Sequence, residues 1–347
     1  MRSFLKPTAG FVCLAALTCA GCSSEPDSES SSSSSSQPSA AGASQSPSAS
    51  ASAASATTYA PYVSATTASD NDSAGSPATY NLAFVIAGGS SCTPKWNGTT
   101  AIGDSAVKSR ISALTESGGA VRVSFGGASG KELASTCDTA SELAEAYGAA
   151  LDAAGATEAD FDIEGKQLTD SDSVALRSEA IALLQKERSD LAVTFTLPVM
   201  PSGLDNDSLA LLESANDKGV QVSTVNIMTM NYGSSYDEDM GDYAETSAEA
   251  AHDQLEDVFG LSDDGAWKGL ALTSMIGVND VDNETFSLSD AAQVRSFAEE
   301  KGVAWVSMWS TFRDQPCEGD DADSDDAATN CSGVEQEAGD FAEAFTG

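Results

Sequence analysis

Ala159-Asp160-Phe161-Asp162-Ile163-Glu164-Gly165 sets a carboxylate at every second residue of an otherwise apolar run. Successive side chains of a strand point to opposite faces, so Asp160, Asp162 and Glu164 share one face while Phe161 and Ile163 pack on the other. Carboxylates crowded in this way cannot all ionise freely, which leaves one of them as a candidate proton donor near neutral pH. The spacing alone is weak, because 53 of 347 residues are acidic and such a chain produces roughly one i, i+2, i+4 acid triplet by chance. Asp321, Asp323 and Asp325 form another, but they stand among Gly, Ala, Ser and more Asp and read as a solvated loop. Alternation with Phe and Ile marks the first triplet as buried strand, where three acids without a purpose would be costly.

Outward from this stretch, short apolar runs alternate with longer Ala- and Leu-rich stretches of helical period, the pattern of βα repeats on a parallel sheet. Strands are predicted over 59–64, 80–87, 120–125, 159–163, 191–197, 223–230, 268–275 and 303–309. Helices are predicted over 101–117, 141–154, 172–187, 207–218, 246–259 and 289–301, and the polar connection 65–79 is the weakest unit. Eight such units fit an α/β fold of the (β/α)8 TIM-barrel type, a single domain over 59–347, with its chemistry at the C-terminal ends of the strands. The unusual residues fall there: Ser124-Phe125-Gly126-Gly127, the acid triplet, Met228-Thr229-Met230-Asn231-Tyr232, Met275 to Asp280 with Asn279, and Met308-Trp309-Ser310.

The N-terminus carries Arg2 and Lys6, then an apolar run over 9–20, then Gly21-Cys22-Ser23. This pattern predicts a signal peptide over 1–21, too short to span a membrane as a mature helix. Cys22 after Ala20 and Gly21 fits a lipidated first residue of a membrane-anchored extracellular lipoprotein. An ordinary signal peptide and a secreted protein is the alternative. Residues 22–58 are nearly all Ser, Ala, Pro, Gly, Glu and Gln and are expected to be a disordered tether behind which the barrel sits. Of seven cysteines, Cys92, Cys137, Cys317 and Cys331 remain for an exported domain and suggest two disulfides. Three pairings are possible, and Cys92 with Cys137 and Cys317 with Cys331 is favoured because each joins neighbouring loops.

The net charge of −37 argues against a nucleic-acid partner or an anionic-membrane surface, so a membrane would be met only through the lipid anchor. The single histidine, His252, lies in a polar helix-like stretch, and no Cys-x-x-Cys occurs, so neither a metal nor a cofactor is expected. Acid–base chemistry must then rest on carboxylates.

On these residues the chain resembles glycoside hydrolase family 18, the chitinases and their relatives, over the whole barrel. Ser124-Phe125-Gly126-Gly127 matches the family's Ser-x-Gly-Gly motif on the third strand. Asp160-x-Asp162-x-Glu164 matches the end of its Asp-Gly-x-Asp-x-Asp-x-Glu motif on the fourth, and Trp309 matches the tryptophan under the attacked sugar. The stretches from Met228, from Met275 and from Trp309 look like the bacterial chitinase-D-like branch. The resemblance implies cleavage of β-1,4 bonds in chitin or another N-acetylglucosamine-containing glycan by a monomer. Glu164 would be the proton donor, Asp162 the partner of the substrate's acetamide and Asp160 the holder of a reserve proton; the acetamide oxygen itself would be the nucleophile. Ser124 would support Asp160, Asn231 and Tyr232 would orient the acetamide, and Gly126, Met228 and Asn279 would border the substrate.

The chain departs from the family pattern at Thr157 and Glu158, where an Asp and a Gly are usual, and at Met230-Asn231, where many relatives have Tyr-Asp. The stretch 276–302 has room for one helix and no inserted subdomain, which predicts an open groove and internal cleavage. A non-hydrolysing, lectin-like barrel and an endo-β-N-acetylglucosaminidase are the alternative functions.

Overall fold

The computed structural model describes residues 57–116, 118–319 and 330–347. The leader, Cys22, the tether up to residue 56 and the Asp321, Asp323, Asp325 triplet lie outside the described residues. The central strands are β1 Tyr62–Ser64, β2 Thr79–Ala87, β3 Ala120–Gly126, β4 Glu158–Asp162, β5 Ala192–Pro198, β6 Val222–Met228, β7 Leu270–Met275 and β8 Trp305–Trp309. Each pairs in parallel with the next, from β1 to β8. The ring closes through Thr58–Tyr59, which pairs in parallel with β8.

The strand expected over 59–64 is therefore two short pieces, and Pro61 is the reason. Proline has no N–H to give to a ladder. Ala60 still donates to the Val306 carbonyl, while the Pro61 carbonyl accepts from Asn81 on the other side, so the chain changes partner strand across the proline. Order also begins earlier than the composition predicts: the buried Thr57 hydroxyl donates to the Val303 carbonyl at 2.7 Å.

Outside the ring lie α1 Ser105–Thr115, α2 Ala140–Ala154, α3 Ser171–Glu187, α4 Asn206–Asp217, α5 Met240–Phe259 and α6 Leu288–Lys301. Among the described residues no helix joins β1 to β2. Helix α5 begins six residues before the predicted 246, because Asp239 caps it by accepting the Asp242 N–H at 3.0 Å. Gly241 and its acidic neighbours disguise that start as a loop. An antiparallel hairpin, Gly277–Val278 with Thr285–Phe286, follows β7, and no subdomain is inserted before β8.

Period two sorts the strand side chains into two layers. Outward, Phe125, Phe161 and Phe195 are register neighbours on β3, β4 and β5, with centroids 5.3 and 5.7 Å apart. Tyr147 of α2 packs edge-on against the first two at 4.8 and 5.0 Å. Burying each ring stabilises the sheet–helix layer by roughly 1.5–3 kcal/mol. Inward, the same strands present Ser124, Asp160 and Thr196, and β6 adds Asn226, all buried. A barrel interior is usually filled by branched apolar residues; here its upper part is polar.

Two disulfides, Cys92–Cys137 and Cys317–Cys331, pair the cysteines in the favoured arrangement.

Candidate active site

The acids of β4 point into the barrel, each into a different environment. Asp160, fully buried, accepts from three hydroxyls: Ser124 Oγ at 2.6 Å, Tyr62 Oη at 2.9 Å and Thr196 Oγ1 at 2.7 Å. The network continues through Asn226, which donates to Thr196 at 2.9 Å and accepts from Thr273 Oγ1 at 2.9 Å. Five strands thus hold one carboxylate still. Burial raises the Asp160 carboxyl above its ordinary value, and the three hydroxyls pull it back.

Asp162 has no such support. It is buried, and its Oδ1 has no N–H or O–H donor turned to it. Burial first, then the charges of Glu164 and Asp160, push its carboxyl well above the usual range, and its side chain hydrogen-bonds that of Glu164. Glu164, half-buried just past the end of β4, is raised by burial and by the nearby Asp280, while the bond from Asp162 acts the other way. Asp162 and Glu164 are thus a hydrogen-bonded pair of acids, both raised, that can share one proton. Glu158, which the sequence places ahead of the buried face, shares that face at the foot of the barrel and pairs there with Arg122 at 2.6 Å.

Gly126 and Gly127 shape the adjoining wall. Gly126 has φ +101°, and a Cβ on it would stand 2.1 Å from the Asp162 carbonyl oxygen. Gly127 donates its N–H to that same oxygen at 2.9 Å. The third and fourth strands can approach this closely only without side chains, which gives the Ser-x-Gly-Gly spacing a steric reason.

Asp162, Glu164, Met228, Asn231 and Trp309 line one cavity of 200 Å³ at the C-terminal mouth, together with Tyr62 and Phe84. Trp309 is fixed by Phe84, stacked at 5.5 Å and 21°, and by the edge of Tyr62 at 5.8 Å. Asn231, at φ +56°, is clamped across the mouth: its Oδ1 accepts the Asp280 N–H at 3.1 Å and its Nδ2 donates to Asp280 Oδ2 at 3.3 Å.

Other predicted residues stand away from the cavity. Tyr232 is buried against Tyr236 and Tyr243 and receives the Ser247 hydroxyl, so it orients the loop and not a ligand. Its neighbour Asn231, in the left-handed conformation, turns the backbone and sends the tyrosine to the α5 side. Asn279 is buried below the surface, donating to the Met275 and Gly277 carbonyls at 2.9 and 3.0 Å. Ser124 and Gly126 serve the cavity from behind, through Asp160 and Asp162. His252 stacks on Trp267 at 4.2 Å on the outer layer and does not line the cavity.

Tyr62, Phe84 and Thr196 line the cavity without having been predicted, and Asp280, which ends the stretch expected at the mouth but was given no role there, lines it too. For Thr196 the signal was present: Thr194 and Thr196 alternate with Val193, Phe195 and Leu197 as the acids alternate on β4, and Thr196 lies opposite Asp162 in register.

A search of family models gives no match. The chain is 34% identical over 277 residues to the "Probable bifunctional chitinase/lysozyme" of Escherichia coli K12, covering 74% of this chain and 31% of that protein. It is 34% identical over 278 residues to "Endochitinase 11" of Metarhizium anisopliae, covering 74% of this chain and 52% of that one. The chain thus spans about a third and about half the length of these curated relatives. Among solved structures, the catalytic domain of the hyperthermophilic chitinase from Pyrococcus furiosus superposes with a TM-score of 0.74 at 30% identity, over 83% of this chain and 93% of that one. A GH18 chitinase from Pseudoalteromonas aurantia shares the fold, with a TM-score of 0.51 at 13% identity. With the Pyrococcus domain matched over nearly its full length at 30% identity, and the acids of β4 lining the cavity that Ser124 and Gly126 support from behind, the chain belongs to glycoside hydrolase family 18, the family of the chitinases.

Proposed function

We propose that this protein hydrolyses β-1,4 bonds between N-acetylglucosamine units of chitin or a related glycan, with retention at the anomeric carbon and with the substrate's acetamide as nucleophile. The observation that carries this reading is Asp162, a buried acid whose hydrogen-bonding partner is Glu164 and whose free oxygen faces no protein donor. A bound sugar on Trp309 would bring its acetamide N–H to Asp162. The Asp162 proton then passes to Glu164, leaving Asp162 as the anion that accepts the N–H, and Glu164 becomes the acid. Glu164 protonates the glycosidic oxygen while the acetamide oxygen attacks C1, so the C1–O bond breaks and the leaving sugar departs with the proton. The positive oxazolinium ring is stabilised by Asp162. A water attacking C1 on the freed face gives its proton to Glu164, the ring reopens, and the proton returns to the acid pair. Asp160, raised by burial yet held by three hydroxyls, is the partner able to share that proton.

Internal cleavage is favoured by the open mouth, which has only a short hairpin and α6 between β7 and β8. Incubation of the purified protein with N-acetylglucosamine oligomers, beside Glu164→Gln, tests the reading by product analysis. Cleavage by the parent and not by the variant is expected; binding without any cleavage would instead assign a lectin.

We further infer attachment to the membrane through a lipid on Cys22, with the Ser- and Ala-rich segment as the tether. The leader followed by Gly21-Cys22 supports it. Cys22→Ala should release the protein from the membrane fraction; an unchanged distribution would exclude the anchor.

A further inference from the structure

The chain's single histidine takes no part in the cavity chemistry, yet its surroundings are those of a ligand to a cation. His252 lies on α5 and is only 4% exposed. Its Nδ1 is 3.0 Å from Asp253 Oδ1, and its Nε2 is 3.2 Å from the Asp263 carbonyl oxygen and 3.4 Å from Asp263 Oδ1. All three oxygens are acceptors. A neutral imidazole carries one N–H, so in either tautomer one ring nitrogen of this buried side chain turns a bare lone pair toward oxygens that have no proton to give. Such a contact is repulsive unless a positive centre sits in it, either a second ring proton or a metal ion.

We propose that His252 Nε2, Glu256 and Asp263 bind a divalent transition-metal ion of the zinc type on the outside of the barrel. Glu256 follows His252 by four residues on α5 and so shares its face. Asp263 opens the short helix Asp263–Lys268 beyond the end of α5, so the ion ties α5 to the connection that leads into β7. Residue order alone hides this set, since Asp263 meets His252 only after the chain turns at Gly260, the left-handed cap of α5. One ligand atom from each of the three residues lies within 4.8 Å of the other two. Bonds to zinc of about 2.0–2.2 Å require the two carboxylates to draw in by roughly an ångström. They are placed to do so, Asp263 being exposed and Glu256 half-buried. The imidazole, in contrast, is held still by Trp267, stacked on it at 4.2 Å and 19°. Asp253 completes the arrangement: a carboxylate that takes the Nδ1 proton fixes the tautomer in which Nε2 is free for a metal and makes that nitrogen more basic. The net charge of −37 draws cations to the whole surface, and the imidazole is what selects among them. One imidazole with two carboxylates suits zinc, nickel or copper, whereas calcium and magnesium favour oxygen ligands alone.

The test is calorimetric titration of the full-length protein with zinc chloride, after purification without a histidine tag and removal of metals with EDTA, in excess calcium to occupy scattered carboxylates. One zinc site is expected. Its affinity should fall at least about tenfold in Glu256→Gln and in Asp263→Asn, and thermal melting reports that both variants fold. Zinc should raise Tm in the parent more than in either variant, and nickel should quench emission from Trp267 in the parent alone. Because the chain has a single histidine, NMR of the ring nitrogens reads His252 without ambiguity: with zinc bound, Nδ1 should keep its proton and Nε2 should carry none. Zinc binding no tighter than calcium binding would overturn the proposal, as would zinc affinity that persists in both variants. Two ring protons on His252 at neutral pH with zinc present would overturn it as well, since the positive centre is then the imidazolium itself. None of these outcomes depends on whether the protein hydrolyses a glycan.

Discussion

Three carboxylates on one strand face differ in role because their neighbours differ. Asp160 is surrounded by hydroxyls, Asp162 by carboxyls, and Glu164 by the mouth of the cavity. Glu164→Gln removes the transferable proton but keeps the side chain's size, and is expected to lower kcat by about 10²–10⁴-fold with substrate binding retained, checked by kinetics beside calorimetry. Asp162 also costs stability. Its folded carboxyl is raised well above the unfolded value by burial and by Glu164 and Asp160. The native state therefore resists ionisation that the unfolded chain accepts freely as pH rises. Asp162→Asn is expected to raise Tm at neutral pH, with the gain vanishing below about pH 4, where the unfolded carboxyl is itself protonated; melting curves across pH would show this. The alternation of acids with Phe161 and Ile163 was legible in the sequence because period two is a local property. Tyr62 was not, because it reaches the cavity only through barrel closure, and for Asp280 the place at the mouth was legible but the clamp to Asn231 was not.

At the level of elements, strand ends and the loops beyond them decide what meets the substrate. The Asn231–Asp280 clamp ties the loop after β6 to that after β7, and Asp280 adds negative charge near Glu164. That charge helps keep the acid protonated, so Asp280→Asn should move the alkaline limb of the kcat profile to lower pH. The clamp's backbone half, Asp280 N–H to Asn231, remains in the variant. An unmoved limb would separate Asp280 from the acid. The strands and helices were largely readable from their two periods, since each is a repeated local pattern. The split at Pro61 and the early start of α5 were less so. In the first, two partner strands compete for one short segment; in the second, a capping aspartate stands among many other acids. Tyr232 shows the same limit, because the left-handed turn at Asn231 sends the next side chain away from the cavity, and nothing in the residue order fixes that turn.

Across the molecule, the barrel supplies one polar mouth, and the two disulfides secure loops on its rim. Cys92–Cys137 closes 45 residues and Cys317–Cys331 closes 14, which chain-entropy scaling converts to about 4 and about 3 kcal/mol of stability. Replacing the first pair with serines is expected to lower Tm more than replacing the second, as calorimetry would record. The pairing was legible from loop proximity, whereas the cavity at the mouth arises only when distant segments meet. The central claim is that the acid pair of β4 works with the substrate's own acetamide. It is tested most directly by proton NMR of N-acetylglucosamine oligomers during the first turnovers. New reducing ends should emerge as the β anomer before mutarotation, and oligomers lacking the acetyl group on the reacting sugar should remain uncleaved; α-anomeric first products, or equal cleavage of the deacetylated oligomers, would contradict it.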